Sequence, residues 1–253
     1  MSGGGRSCHA GEQQGEVGAA ASTSDAGAMS DFASRRDAMV DYQIVARGIG
    51  GDRLLAALRA VPRERFVPEN MVEFAYEDSA LPIEAGQTIS QPYIVALMIE
   101  AAAIGPDDRV LEVGVGSGYA AAVMSRMGRA VHAIDRHPEL TDRAAERLAA
   151  LGCHNVTLRT GDGTRGWADA APFDVILVAA GSPRVPRPLL DQLAPGGRLV
   201  IPVGEGGSQR LLRVTRTGAS DFREDDLGAV VFVPLIGEHG WPGDPVGAGK
   251  ARR

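Results

Sequence analysis

The stretch Val110-Leu111-Glu112-Val113-Gly114-Val115-Gly116-Ser117-Gly118-Tyr119, running on into Ala120-Ala121-Ala122-Val123-Met124, decides the fold. An apolar run that breaks into alternating glycines and then into an alanine-rich segment predicts strand, tight turn and helix. That is the opening unit of a nucleotide-binding α/β sheet. Gly114 and Gly116 let backbone approach a ligand, but position 119, where a dinucleotide fingerprint takes a small third residue, carries Tyr119. NAD and FAD are thereby disfavoured. Glu112, directly after Leu111 in the strand, suits S-adenosylmethionine (AdoMet), whose amino-acid end presents an ammonium to be paired. An ordinary strand-to-helix turn that binds nothing is the open alternative at this point.

Downstream, strand and helix alternate in the way that predicts a parallel sheet with helices on both faces. A second strand over 130–134 ends on Asp135, whose carboxylate can there accept hydrogen bonds from both hydroxyls of a ribose. A helix over 138–151 leads to a third strand at 156–159 and the polar turn Gly161-Asp162-Gly163, so Asp162 also lies at a strand's C-terminal end. The fourth strand, 173–178, is continuously apolar after Asp174, as expected of a strand covered on both faces. A short helix at 189–193, the turn Pro195-Gly196-Gly197, a fifth strand at 198–203 and closing strands at 211–215 and 230–235 complete the reading. The fold class is α/β: a Rossmann-like, doubly wound, mostly parallel seven-stranded sheet with an N-terminal helical subdomain.

Upstream, Met39, Val40, Ile44 and Val45 recur at helical spacing, which predicts a helix over 32–46 ended by Gly48, Gly50 and Gly51. Asp52 is placed to cap a second helix over 54–60, and Val61-Pro62 stops it before an extended connection through Pro68. Gln87-Thr88-Ile89-Ser90-Gln91-Pro92 opens a helix over 93–103, with Pro92 suited to a first turn. Residues 1–30, rich in Gly, Ala and Ser without apolar periodicity, read as a disordered extension. Residues 31–241 read as one domain, divided into a helical, substrate-side segment (31–104) and the core (105–241). Residues 242–253 read as a flexible tail.

The formal charge of -6, with Lys and Arg scattered among acids, gives no electrostatic footprint for nucleic acid. No apolar run reaches membrane length, and the cysteines, Cys8 and Cys153, support neither a disulfide framework nor a zinc site. His9, His132, His137, His154 and His239 form no i,i+3 or i,i+4 ligand pair, so no metal is expected. The expectation is a soluble, cytoplasmic, monomeric protein.

The glycine turn with Asp135, Gly161-Asp162-Gly163 and Pro195-Gly196-Gly197 resembles the class I AdoMet-dependent methyltransferases. Val61-Pro62-Arg63-Glu64-Arg65-Phe66-Val67-Pro68, Leu81-Pro82-Ile83, Gly86-Gln87-Thr88-Ile89-Ser90-Gln91-Pro92 and Val233-Pro234-Leu235 resemble, more specifically, the protein-L-isoaspartate O-methyltransferases, over about residues 35 to 241. Residues 181–186, Gly181-Ser182-Pro183-Arg184-Val185-Pro186, replace a more proline-rich loop of that family, and the N-terminal extension is unusual for it.

The resemblance implies AdoMet as cofactor and isoaspartyl-containing proteins and peptides as partners. The methyl group would pass to the free α-carboxylate of an L-isoaspartyl residue, whose ester then closes to succinimide. It implies Ser90 as the catalytic residue, and cofactor contacts from Thr88, Ile89, Ser90, Glu112, Gly114, Gly116, Ser117, Gly118, Asp135, Asp162 and Gly163. Asp135 would meet the ribose and Asp162 the adenine amino group, while Ser117 and Gly118 would offer backbone to the methionine carboxylate at a helix N-terminus. A carboxylate with pKa near ~3.9 is already ionised at neutral pH and needs no general base, so the enzyme mainly positions. Blander readings stay open: Ser90 as a helix cap, Asp135 as a solvated strand-end acid, Asp162 as an Asx-turn residue. Two other functions also stay open, a relative that installs aspartimide in one dedicated peptide partner and a non-catalytic AdoMet-binding module.

Overall fold

A computed structural model describes residues 23–205 and 207–243, with backbone alone for 23–30. The stretches 1–22 and 244–253 of the expected extension and tail lie outside the described residues. Helix α1 spans Thr23–Ala38, so the boundary expected at residue 30 falls inside a helix. Ala26, Ala28 and Met29 are good helix formers and carry it upstream of Phe32. The single helix expected over 32–46 continues as a π-helical turn, Met39–Ile44, and a 3-10 turn, Val45–Arg47. Helix α2, Asp52–Ala60, has Gly51 at its N-cap. Asp52 thus stands inside the first turn, where it complements the helix dipole without capping. The connection after Pro62 is not extended but forms two 3-10 turns, Arg63–Phe66 and Glu69–Phe74.

A small antiparallel ribbon of β1 (Leu81–Pro82) and β2 (Thr88–Ile89) precedes α3 (Pro92–Ala102), which starts on the proline. The core follows as β3 (Arg109–Val113), α4 (Tyr119–Ser125), β4 (Ala130–Asp135), α5 (Pro138–Ala150), β5 (Val156–Thr160) and β6 (Phe173–Val178). It ends with α6 (Arg187–Asp191), β7 (Leu193–Glu205), β8 (Ser208–Arg216) and β9 (Phe222–Val230). The seven strands line up as β5-β4-β3-β6-β7-β8-β9, parallel through β7 and antiparallel beyond it. The chain winds outward from β3 to β5, then returns to place β6 on the other side of β3. This reversal opens a crevice at the carboxyl ends of the central strands.

Continuously apolar strands feed two cores. From β6, Val175 and Leu177 join the core under α3, α4 and α5, while Phe173, Ile176 and Val178 join the opposite one. The opposite face is covered more thinly, by the five-residue α6 and by Trp167 from a turn between β5 and β6. The turn expected at Pro195-Gly196-Gly197 is an excursion within β7, where pairing passes from Phe173↔Leu193 to Val175↔Arg198 and Gly196 takes φ 76°.

The closing strand expected at 230–235 lies instead at Phe222–Val230. Arg223, Glu224, Asp225 and Asp226 hide its alternation. They are tolerated because β9 is an edge strand whose acids meet Arg213 (2.9 Å to Asp225) and Arg210 (2.8 Å to Asp226) on β8. Residues 231–241 leave the sheet and cross the carboxyl ends of its strands, joined to the residues after β6 by the bridge Gly181↔Pro234 and folded on themselves by the bridge Ile236↔Trp241.

Candidate active site

The crevice holds a cleft of about 690 Å³ lined by Val113, Gly114 and Gly116 after β3, Ile134 to His137 after β4, Gly163, Ala179 and Ala180 after β6, and residues 233–236 and 241–242. Gly114, Gly116 and Gly118 adopt φ of 89°, 52° and 91°, the left-handed backbone that folds the turn onto the neighbouring strand. The N–H of Gly114 donates to the Ile134 carbonyl at 2.8 Å, and that of Gly116 to Asp135 Oδ2 at 3.0 Å. Asp135, 7% exposed, also accepts the His137 N–H through Oδ1 at 3.0 Å, so its carboxylate is fixed at the cleft wall by two backbone donors.

Beneath the cleft, a cavity of about 60 Å³ is lined by Thr88, Ile89, Ser90, Glu112, Gly114, Gly116, Ser117 and Tyr119, among others. Glu112 is 1% exposed, and its Oε2 has no hydrogen-bond partner. Burial, reinforced by the charge of Asp135, pushes its carboxyl well above the usual carboxylate range. A buried, unpartnered carboxylate is a destabilising element unless a cation joins it.

Ser90 lines both this cavity and a groove of about 780 Å³ bounded by Gln91 and Ile94 on one side and Arg210, Val231 and Phe232 on the other. Gln91, not Ser90, is the N-cap residue of α3, and no side chain caps that helix. Among the described residues Ser90 Oγ makes no hydrogen bond, whereas its carbonyl accepts from Arg63 Nη2 at 2.8 Å. Arg63 is fully buried, and burial lowers its pKa to about 10, so it stays charged at neutral pH. The turn Glu84–Gly86 is tied down by Arg147, whose Nη2 donates to Glu84 Oε1 at 2.8 Å and whose Nη1 donates to the Ser117 carbonyl at 3.4 Å.

Asp162 behaves differently from its neighbours. Its Oδ1 accepts the Thr164 N–H at 2.9 Å and hydroxyl at 2.6 Å, and its Oδ2 accepts the Glu238 N–H at 2.9 Å. Burial raises its pKa, but these three donors outweigh burial and hold the carboxyl below the usual range. Gly237 must be glycine beside it, because a Cβ there would stand 2.0 Å from Asp162 Oδ1. With His239 N–H on Thr164 Oγ1 at 3.1 Å and Trp241 Nε1–H on the Gly181 carbonyl at 3.0 Å, these bonds latch residues 237–241 beside the cleft. Asp162 and Gly118 line neither cavity. Asp162 is engaged as an Asx-turn residue, and a Cβ on Gly118 would press on Ala144 of α5 at 3.2 Å.

The remaining residues singled out in the sequence, Thr88 through Gly163, do gather around the two connected spaces. Ala179 and Trp241 are not among the residues the sequence marks, and Leu235 enters only through the Val233-Pro234-Leu235 motif. Ala179 follows the fourth strand and is findable from the rule that ligands bind at carboxyl ends of strands, whereas Trp241 carries no signal. Among the described residues no cluster of three or more His, Cys, Asp or Glu could hold a metal, and no helix is long and apolar enough to cross a membrane.

Residues 34–240 match the family model described as protein-L-isoaspartate(D-aspartate) O-methyltransferase. A protein-L-isoaspartate O-methyltransferase of Brucella anthropi is 50% identical over 215 residues, 85% of this chain and 99% of that one. Another, of Methylorubrum extorquens, is 59% identical over 206 residues, 81% of this chain and 90% of that one. Among solved structures, a putative protein-L-isoaspartate O-methyltransferase of Plasmodium falciparum in complex with S-adenosyl-L-homocysteine is 26% identical. It superposes with a TM-score of 0.70 over 79% of this chain and 98% of that one.

Proposed function

Because the chain belongs to the protein-L-isoaspartate O-methyltransferase family, we propose that Ser90 orients the acceptor carboxylate while Glu112 and Asp135 hold AdoMet. The enzyme is AdoMet-dependent and esterifies the free α-carboxylate of L-isoaspartyl residues, the step that initiates repair through succinimide. The residues present fit this cofactor. The orphan Oε2 of Glu112 is the partner an amino-acid ammonium lacks, and each Asp135 oxygen keeps a lone pair for a ribose hydroxyl after accepting one backbone N–H. AdoMet, when bound, supplies a methyl group activated by a sulfonium. Ser117, which lines the small cavity, offers backbone to the carboxylate of the cofactor's amino-acid end, whereas the Gly118 N–H is already donated to the Val115 carbonyl at 2.9 Å and Gly118 serves the turn.

One observation carries the assignment of Ser90: among the described residues its hydroxyl has no hydrogen-bond partner, and it lines both the small cavity and the groove. An acceptor carboxylate arriving along the groove is already ionised, so Ser90 has no proton to remove. It donates a hydrogen bond and aims one oxygen. The groove, with exposed Val231 on its wall, takes the isoaspartyl segment of a damaged protein. Asp162 serves the cofactor cleft by holding residues 237–241 in place.

Ser90→Ala tests the assignment. Loss of one charge-assisted bond, worth about 1.5 to 3 kcal/mol, should lower turnover of an isoaspartyl peptide about 10- to 150-fold. AdoMet affinity and melting temperature should stay as in the parent, since the hydroxyl has no internal partner. Full turnover in the variant would refute the role of Ser90.

A further inference from the structure

Arg63 is 0% exposed, and among the described residues it forms no ion pair. A guanidinium so placed is expensive to bury and would be replaced without loss by an apolar chain if filling space were its purpose. It is instead spread over three segments that the sequence keeps apart. Nε donates to the Ala75 carbonyl at 2.8 Å, Nη2 donates to the Ser90 carbonyl at 2.8 Å, and the guanidinium carbon lies 4.9 Å from the centre of the Tyr119 ring. Tyr119, at the first position of α4, is 1% exposed and lines the small cavity together with Ser90 and Glu112. Phe66 braces that ring from another side, edge-on at 5.6 Å. Arg63 itself does not line the cavity.

We propose that Arg63 is a positioning residue for methyl transfer: held by Ala75 and stacked on Tyr119, its planar fork fixes the Ser90 backbone and so aims Ser90 Oγ at the acceptor. The inference rests on the reading of Ser90 given above. Only a guanidinium meets all the demands at once, since it offers two parallel donors at fixed separation together with a flat face for an aromatic ring. A lysine ammonium keeps the charge but loses the fork and the stacking.

The test is a kinetic cycle on the full chain with an isoaspartyl peptide, using Arg63→Lys, Ser90→Ala and the double variant. A shift of about 1 Å in a reacting group can lower turnover about 100-fold, so Arg63→Lys should lose about 10- to 100-fold in kcat with AdoMet affinity retained. Added to Ser90→Ala, Arg63→Lys should cause no further loss, because the hydroxyl it aims is gone. Undiminished kcat in Arg63→Lys, or losses that multiply in the double variant, would overturn the inference while leaving Ser90 in its role. Full turnover in Ser90→Ala alone would instead sink the reading on which it rests. Arg63→Gln, which keeps two donors without charge, provides the second variant and should recover part of the lost kcat. If neither variant folds, the guanidinium serves the fold as a whole and the positioning role is overturned.

Discussion

Replacing Glu112 by Gln should push stability and cofactor affinity in opposite directions. The side chain is 1% exposed, and one carboxylate oxygen has no partner, so the protein without AdoMet carries an uncompensated polar group worth about 1 to 3 kcal/mol of destabilisation. The sign follows from the raised pKa. In the folded protein Glu112 retains a proton that the unfolded chain has already lost, so stability falls as pH climbs from the ordinary carboxylate value through the raised one. The full penalty is present above it. A neutral amide of the same shape is still a buried polar group but escapes the cost of ionisation, and at about 2 to 4 °C per kcal/mol the variant should melt several degrees higher at neutral pH. Affinity moves the other way. Losing a charge-assisted bond to the AdoMet ammonium costs about 1.5 to 3 kcal/mol, or about 10- to 150-fold in Kd. Binding should also expel a proton from Glu112 in the parent, so its affinity rises with pH across the same window, and that of the variant should not. Thermal melts over a pH series, with calorimetric titration of S-adenosylhomocysteine in two buffers of different ionisation enthalpy, measure all of this. Parental affinity in a folded variant, or a lower melting point at every pH, would refute the reasoning.

Asp162→Ala removes three hydrogen bonds, two of them to the Thr164 turn and one to residues 237–241. With partial solvent exposure discounted, about 2 kcal/mol should be lost, or about 4 to 8 °C in melting temperature. Amide exchange should rise at Glu238 and His239, and unaltered exchange there would show that the segment holds without Asp162. His132, packed edge-on to Trp167 at 5.3 Å and Phe173 at 5.5 Å, is held below its usual pKa by burial and by Arg109. The unfolded chain therefore binds a proton that the folded protein refuses, and stability is lost as pH falls through about 6.5. His132→Phe should narrow the difference in melting temperature between about pH 7.5 and about pH 5. An unchanged difference would place the acid sensitivity elsewhere.

The parallel half of the fold was legible because each of its strands is buried on both faces and bounded by glycine, proline or charge. Phe173–Val178 has the bounds read from its apolar run. Beyond β7 that signal disappears. The edge strand carries Asp225 and Asp226 because they meet Arg213 and Arg210 of β8, a fact of pairing that local pattern does not contain. The same division runs through the site. Glu112 and Asp135 sit at strand ends, where topology alone directs side chains or carboxylates toward a ligand. Arg63 reads in sequence as one charged residue in a connection, and only the packing of Ala75, Ser90 and Tyr119 around it reveals a clamp. Asp162 stands out in the sequence by its position, yet while two of its three bonds go to the nearby Thr164, the third depends on Glu238, more than seventy residues away.

The latch by residues 237–241 has a consequence for the newborn chain. A ribosome delivers the glycine turn, both strand-end acids and Ser90 long before it delivers Trp241, at about 5 to 20 residues per second. The sheet gains β8 and β9 only late, and after them the cleft wall still lacks the strap that closes it at Leu235, Ile236 and Trp241. A nascent chain therefore holds the residues proposed to meet the methyl group and still has no finished container for the cofactor. Cofactor binding is therefore expected to wait on residues 233–241, and a chain cut just before Val233 should lose AdoMet affinity while its parallel core still melts cooperatively.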